Sequence, residues 1–172
     1  MAHPLSIIQN LKQKYPASCV SWALEMVLLM REVPNIKEGH FQDQKKGFGF
    51  ESDYLAEMKN LGINTNILSF GEDWLAFRNK IVEEINKGFH PIVTIPSYLH
   101  IDFESRDMKI PSHAFIATSR NNDLIFITRT YQNPNKFYEF SDGEFFGIIG
   151  AWIKVDPSIL KRNEFLNLLA HS

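Results

Sequence analysis

The sequence predicts an α+β fold, and three observations predict it. Residues 19–31 (CVSWALEMVLLMR) are apolar nearly all round, with only Ser21 and Glu25 polar before Arg31, as in a buried helix. HAFIATS (113–119) and LIFITRT (124–130) flank the short Arg-Asn-Asn-Asp stretch, a hairpin signal. Helical patterns fill the first half and strand patterns the second, the order expected of segregated layers.

The elements follow in order. Pro16 marks the loop feeding the first helix, and Ser18 is its N-cap. Residues 32–50 are polar and glycine-containing, and read as loop with some short helix. SDYLAEMKNL (52–61) sets Leu55, Met58 and Leu61 on one helical face, with Gly62 as the stop. INTNIL alternates like a strand. Residues 72–87 form a helix with Phe77, Ile81 and Ile85 at four-residue spacing, ended by Gly88. HPIVTIP (90–96) reads as a buried strand, while FYEF (137–140) and IIGAWIKV (148–155) add two more. A last helix is expected from Asp156–Pro157, a cap followed by proline at the first helical position. Trp22, Trp74, Phe77, Phe145, Phe146 and Trp152 lie on these periodic segments and are expected in the core.

Size and charge narrow the function. A chain of 172 residues suits one domain and can bury a real core. A formal net charge of -2, with the basic pairs Lys45–Lys46 and Lys161–Arg162 isolated, argues against nucleic acid as a partner. The N-terminus lacks the apolar stretch of a secretory signal, and no run approaches the roughly 20 apolar residues that span a bilayer. A single cysteine forms no intrachain disulfide, so the fold requires no oxidising compartment. The expected setting is cytoplasmic, or one reached by export without an N-terminal signal; no membrane is expected as a partner. His100 and Asp102 in HIDF, with His90 or His113, make at most half of a metal site, and CxxC and HExxH spacings are absent, so no metal and no cofactor is expected.

The cysteine is the chemical lead. Cys19 begins the first helix, where unpaired backbone N–H groups lower a thiol pKa and favour the nucleophilic thiolate. Gln13, six residues upstream, and the Cys19 N–H are two donors for a developing oxyanion; losing one such donor costs about 10² to 10³ in rate. A lone cysteine with a distant histidine is the general signature of a cysteine nucleophile. Of the six histidines, His113 is best placed as base, because it opens a strand after a long polar loop at 97–112. That loop is a candidate wall for a substrate cleft.

These stretches resemble a known family. Q…CVSWALEMVL resembles the active-site helix of papain-like cysteine peptidases, closest to the bacteriocin-processing, double-glycine-leader branch. Cys19, Ala23, Leu24, Met26, Val27 and Leu28 fall on its pattern without a gap. GFGFESDYLAEMKNLGINTNIL, INKGFHPIVTIP and HAFIATSRNNDLIFIT are similar to the family's next helix and turn, its pre-histidine strand and its histidine hairpin, together covering most of residues 13–130. The resemblance implies a helical lobe bearing Cys19 packed on an antiparallel sheet bearing His113. It further implies a thiol peptidase acting on a peptide or protein substrate.

Two departures stand out. Val20 replaces the glycine that usually follows the cysteine. Arg129 stands where the family carries an Asp or Asn to orient the histidine, and a guanidinium accepts no hydrogen bond. With the turn on Asn121–Asn122, pairing puts Thr130 opposite His113; a one-residue shift puts Gln132 there, and Asn133 is a third choice. Thr130 is the candidate third member, with Gln132, Asn133 or a bare Cys19–His113 dyad as the open alternatives. The same machinery also serves glutamine deamidation or transglutamination, and a degenerate domain of this family binds peptides or a partner without cleaving them.

Overall fold

A computed structural model describes residues 19–33, 41, 52–69, 73–95, 100–101, 108–109, 113–129, 137–158 and 164–171. In chain order the elements are α1 (Cys19–Met30), α2 (Ser52–Asn60), β1 (Ile63–Ser69), α3 (Trp74–Asn86) and β2 (Ile92–Ile95). Next come β3 (His100–Ile101), β4 (Met108–Lys109), β5 (His113–Arg120), β6 (Asp123–Arg129), β7 (Phe137–Ser141), α4 (Asp142–Val155) and β8 (Glu164–His171). Six strands make one sheet in the order β1-β8-β2-β5-β6-β7, every neighbouring pair antiparallel, and β3 pairs with β4 separately. The architecture is α+β. No helix among the described residues is long and apolar enough to cross a membrane.

Local chemistry explains most boundaries. α1 is buried on all sides, and the sheltered set includes its two polar residues, Ser21 and Glu25. It ends where Glu32 turns left-handed (φ 58°), letting Val33 N–H reach Leu28 O and Glu32 N–H reach Leu29 O, both at 3.0 Å. Gly62 (φ 74°) closes α2 in the same left-handed region. Asp73 caps α3 by accepting from Leu75 N–H at 2.9 Å, and Gly88 (φ 91°) lets the chain turn off its far end. The β5–β6 hairpin turns through Asn121 (φ 51°) and Asn122 (φ 68°), two left-handed residues in a row, the twist a two-residue hairpin needs. This fixes the register at Arg120↔Asp123 and Ile116↔Ile127.

The two faces of the sheet carry different cores. Ile92, Ala114, Ile116, Ile125 and Ile127 pack with Cys19, Trp22, Leu24, Met26 and Leu28 of α1 in a mainly aliphatic layer. Val93, Phe115, Phe126, Phe140 and Phe165 pack with Phe77 and Ile81 of α3 and Phe145, Phe146 and Ile149 of α4. Phe126 stacks on Phe145 with ring centroids 3.7 Å apart, and Phe115 meets Phe145 edge-on at 5.2 Å.

Three sequence expectations are corrected. Residues 148–155 are not a strand but the second half of α4. The cause is a capping box: Ser141 Oγ accepts from Glu144 N–H and Glu144 Oε1 accepts from Ser141 N–H, each at 3.2 Å, so the chain leaves β7 already wound into a helix. Among the described residues, Pro157 and Ser158 form a turn rather than the expected helix start. Asp156 Oδ1 instead accepts from Ser158 N–H at 3.1 Å in a local turn, and Glu164–His171 is a strand filling the place between β1 and β2, with Phe165 and Asn167 buried in alternation. Trp74 is not in the core: it is 37% exposed at the start of α3. The other aromatics expected inside, Trp22, Phe77, Phe145 and Phe146, are buried; the Trp152 side chain lies outside the described residues.

Candidate active site

The lone cysteine is the first residue of α1, and only 6% of it is exposed. Burial pushes its thiol pKa up to about 11. The backbone amides of Ala114, Val20 and Cys19 itself pull the other way, because an N–H donor favours thiolate. Desolvation wins, so the helix start does not deliver the lowered thiol expected from its position alone. At neutral pH Cys19 rests as a thiol.

The thiol's neighbour across the core is the start of the histidine strand. Ala114, whose N–H faces Cys19 Sγ, directly follows His113. A methyl side chain at 114 lets the helix start approach this close; the position is fully buried. Strand alternation turns His113 to the Phe115 side of β5. The two rings meet edge-on with centroids 5.3 Å apart. His113 Nε2 lies 2.7 Å from Thr128 Oγ1, and that hydroxyl donates to Ala114 O at 2.8 Å. Cys19 and His113 are therefore brought to the same strand end. The thiol meets the Ala114 amide, and the imidazole meets Thr128 and Phe115.

Gln13, Thr130, Gln132 and Asn133 are outside the described residues, as is Ser18. The described β5–β6 register runs from Arg120↔Asp123 to Ile116↔Ile127. Among the described residues, a hydroxyl that meets His113 is that of Thr128, on the same face of the sheet. The sequence reading tested only positions 129 and beyond. The signal it passed over was the pairing geometry, since a hairpin centred on Asn121–Asn122 puts both Thr128 and Thr130 on the histidine's face.

A second histidine–threonine contact marks the opposite end of β5. His90 Nδ1 lies 2.9 Å from Thr118 Oγ1. Burial, reinforced by the Arg31 cation, holds the His90 pKa down to about 4. Arg31 itself donates to Gly88 O at 2.8 Å and lies over the Phe89 ring, 4.8 Å from its centroid. On the aromatic side of the molecule, a groove of about 940 Å³ opens between the start of α3 and α4, lined by Trp74, Leu75, Arg78, Phe146 and Lys154 among others. It belongs to the layer opposite Cys19. Comparison with known proteins adds no relative: no family model, curated protein or solved structure matches this chain.

Proposed function

We propose that the chain is a papain-like thiol hydrolase of the peptidase class, with Cys19 as nucleophile and His113 as general base. One observation carries the reading: the single cysteine opens a buried helix with its thiol against the backbone amide of the residue after His113. In this mechanism His113 takes the thiol proton as Sγ attacks the substrate carbonyl, then returns it to the departing amine. Water hydrolyses the resulting thioester and regenerates the thiol. Gln13 and the Cys19 N–H donate to the tetrahedral oxyanion. A thiol raised to about 11 fits a neutral resting pair, in which the proton moves during attack, rather than a preformed thiolate–imidazolium pair. The attack requires the imidazole, which turns to the Phe115 side of β5, to reach the thiol on the Ala114 side. With the same groups, an amine in place of water gives transglutamination, and a glutamine side-chain amide as substrate gives deamidation.

A second reading, a domain that binds a peptide or partner without turnover, is favoured by one observation: the thiol is buried and protonated. Iodoacetamide labelling against pH separates the two, because the chain offers only one thiol. The hydrolase reading expects labelling at pH 7 that falls by about 10² or more in His113→Ala, the scale of a general base. Labelling that ignores His113 and rises only toward pH 11 would overturn it in favour of the binding reading.

A further inference from the structure

We propose that Thr128 is the positioning residue of this site: its hydroxyl fixes His113 in the tautomer that carries hydrogen on Nε2 and a lone pair on Nδ1. A count of protons fixes the tautomer. A threonine hydroxyl has one hydrogen to give and two lone pairs to offer. Thr128 gives that hydrogen to Ala114 O at 2.8 Å, and the residue is fully buried, so its hydroxyl does not turn to water instead. Toward His113 Nε2, 2.7 Å away, the same oxygen can then only accept. Nε2 therefore bears a proton, and in the neutral form of the ring the basic lone pair is on Nδ1.

Ala114 ties this arrangement to the thiol. Its carbonyl receives the Thr128 hydroxyl, while its N–H faces Cys19 Sγ. A single residue of β5 thus anchors the imidazole's partner on one side and the nucleophile on the other. The expected position for the orienting group, 129, is occupied by an arginine that accepts nothing. A hydroxyl one residue earlier in β6, with its own donor already committed, supplies the acceptor in its place. The catalytic consequence rests on the hydrolase reading; the tautomer does not.

The test is proton–nitrogen NMR of the imidazole groups in the full chain, with the His113 signals assigned by their loss in His113→Gln. The wild type is expected to show a slowly exchanging N–H on Nε2, coupled to both ring carbon-bound protons. Thr128→Val, which keeps the shape and removes the hydroxyl, is expected to lose that protected signal, and Thr128→Ser to restore it. His113-dependent labelling of Cys19 should fall about tenfold in Thr128→Val, the scale on which a histidine's orienting partner acts, and recover in Thr128→Ser. A hydrogen on Nδ1 in the wild type overturns the proposal, and that spectrum decides even if the valine variant does not fold. An Nε2–H that is equally protected in Thr128→Val also overturns it. If labelling proves independent of His113 while the Nε2–H depends on Thr128, the hydrolase reading fails and the tautomer assignment stands.

Discussion

The molecule contains the same chemical pair twice, a histidine beside a buried threonine hydroxyl, at opposite ends of β5. His90 and Thr118 sit at the end where α1 stops; His113 and Thr128 sit at the end where α1 starts. The pairs differ in what surrounds them. His90 is desolvated next to the Arg31 cation, so its charged form is disfavoured and its pKa is held down to about 4. Its ring is a neutral packing unit. His113 stands one residue from the amide that meets the only thiol, and its Nε2 faces a hydroxyl whose hydrogen is already given away. Hydrogen bonding to threonine is common to both; the neighbouring charge and thiol set them apart.

The largest expected effect separates the two directly. His113→Ala should lower Cys19 labelling at pH 7 by about 10² or more, whereas His90→Gln should leave the rate within about twofold, because His90 acts on the far end of β5. Equal losses in the two variants would mean that labelling reports loosening of the core around α1 rather than proton transfer.

The next effect belongs to His90 and is read in stability. Its folded pKa, about 4, lies below its ordinary 6.5, so the unfolded chain binds the proton more readily. The stabilisation from a neutral His90 is fully present above pH 6.5 and is lost as pH falls from 6.5 toward 4. A shift of this size corresponds to about 3 kcal/mol. Urea unfolding at pH 7 and at pH 4 should show a drop in the wild type that His90→Gln reduces by roughly that amount. A variant with the same pH slope as the wild type would place the acid sensitivity elsewhere.

How much of this was legible in the sequence depended on whether the deciding interaction was local. The β5–β6 hairpin was readable because Asn121 and Asn122 announce their own turn, and α1 because an all-apolar run of that length has few other fates. α4 was misread: the β-branched, aromatic run IIGAWIKV looks like a strand until the Ser141–Glu144 capping box upstream is weighed. β8 was missed for the opposite reason. Nothing local makes EFLNLLAH a strand; the vacancy between β1 and β2 does, and Asn167 is buried there with its amide on Glu84 of α3. Thr128 was missed because reading straight across a hairpin ignores the diagonal neighbour. The proximity of Cys19 to the strand of His113 was expected, but the protonation state of the thiol was not, since burial is a property of the finished core.

Thr118→Val probes the structural pair at smaller scale. It removes the hydroxyl from His90 Nδ1 and leaves a part-buried ring nitrogen short of its threonine partner. The expected cost is about 1 kcal/mol in unfolding free energy, with Cys19 labelling unchanged. The same substitution at Thr128 is expected to change labelling, so the two valine variants, measured side by side, ask whether the pairs differ in role or only in address. A labelling loss of similar size in both would collapse the distinction.

The smallest effect acts on the backbone that holds the His90 end. Glu32 adopts φ 58° to end α1, a left-handed conformation that costs a side chain about 1 kcal/mol and costs glycine little. The side chain is exposed, so replacing it removes strain without opening a cavity. Glycine also loosens the unfolded chain, which takes back part of the gain. Glu32→Gly is therefore expected to raise stability by about 0.5 kcal/mol, seen as a higher urea midpoint at unchanged slope. Because Arg31 is the adjacent residue and its position sets the cation near His90, a better-formed helix end should leave the acid-induced drop in stability as large as in the wild type. A smaller drop would show that the strained turn at Glu32, not burial alone, holds Arg31 against the histidine.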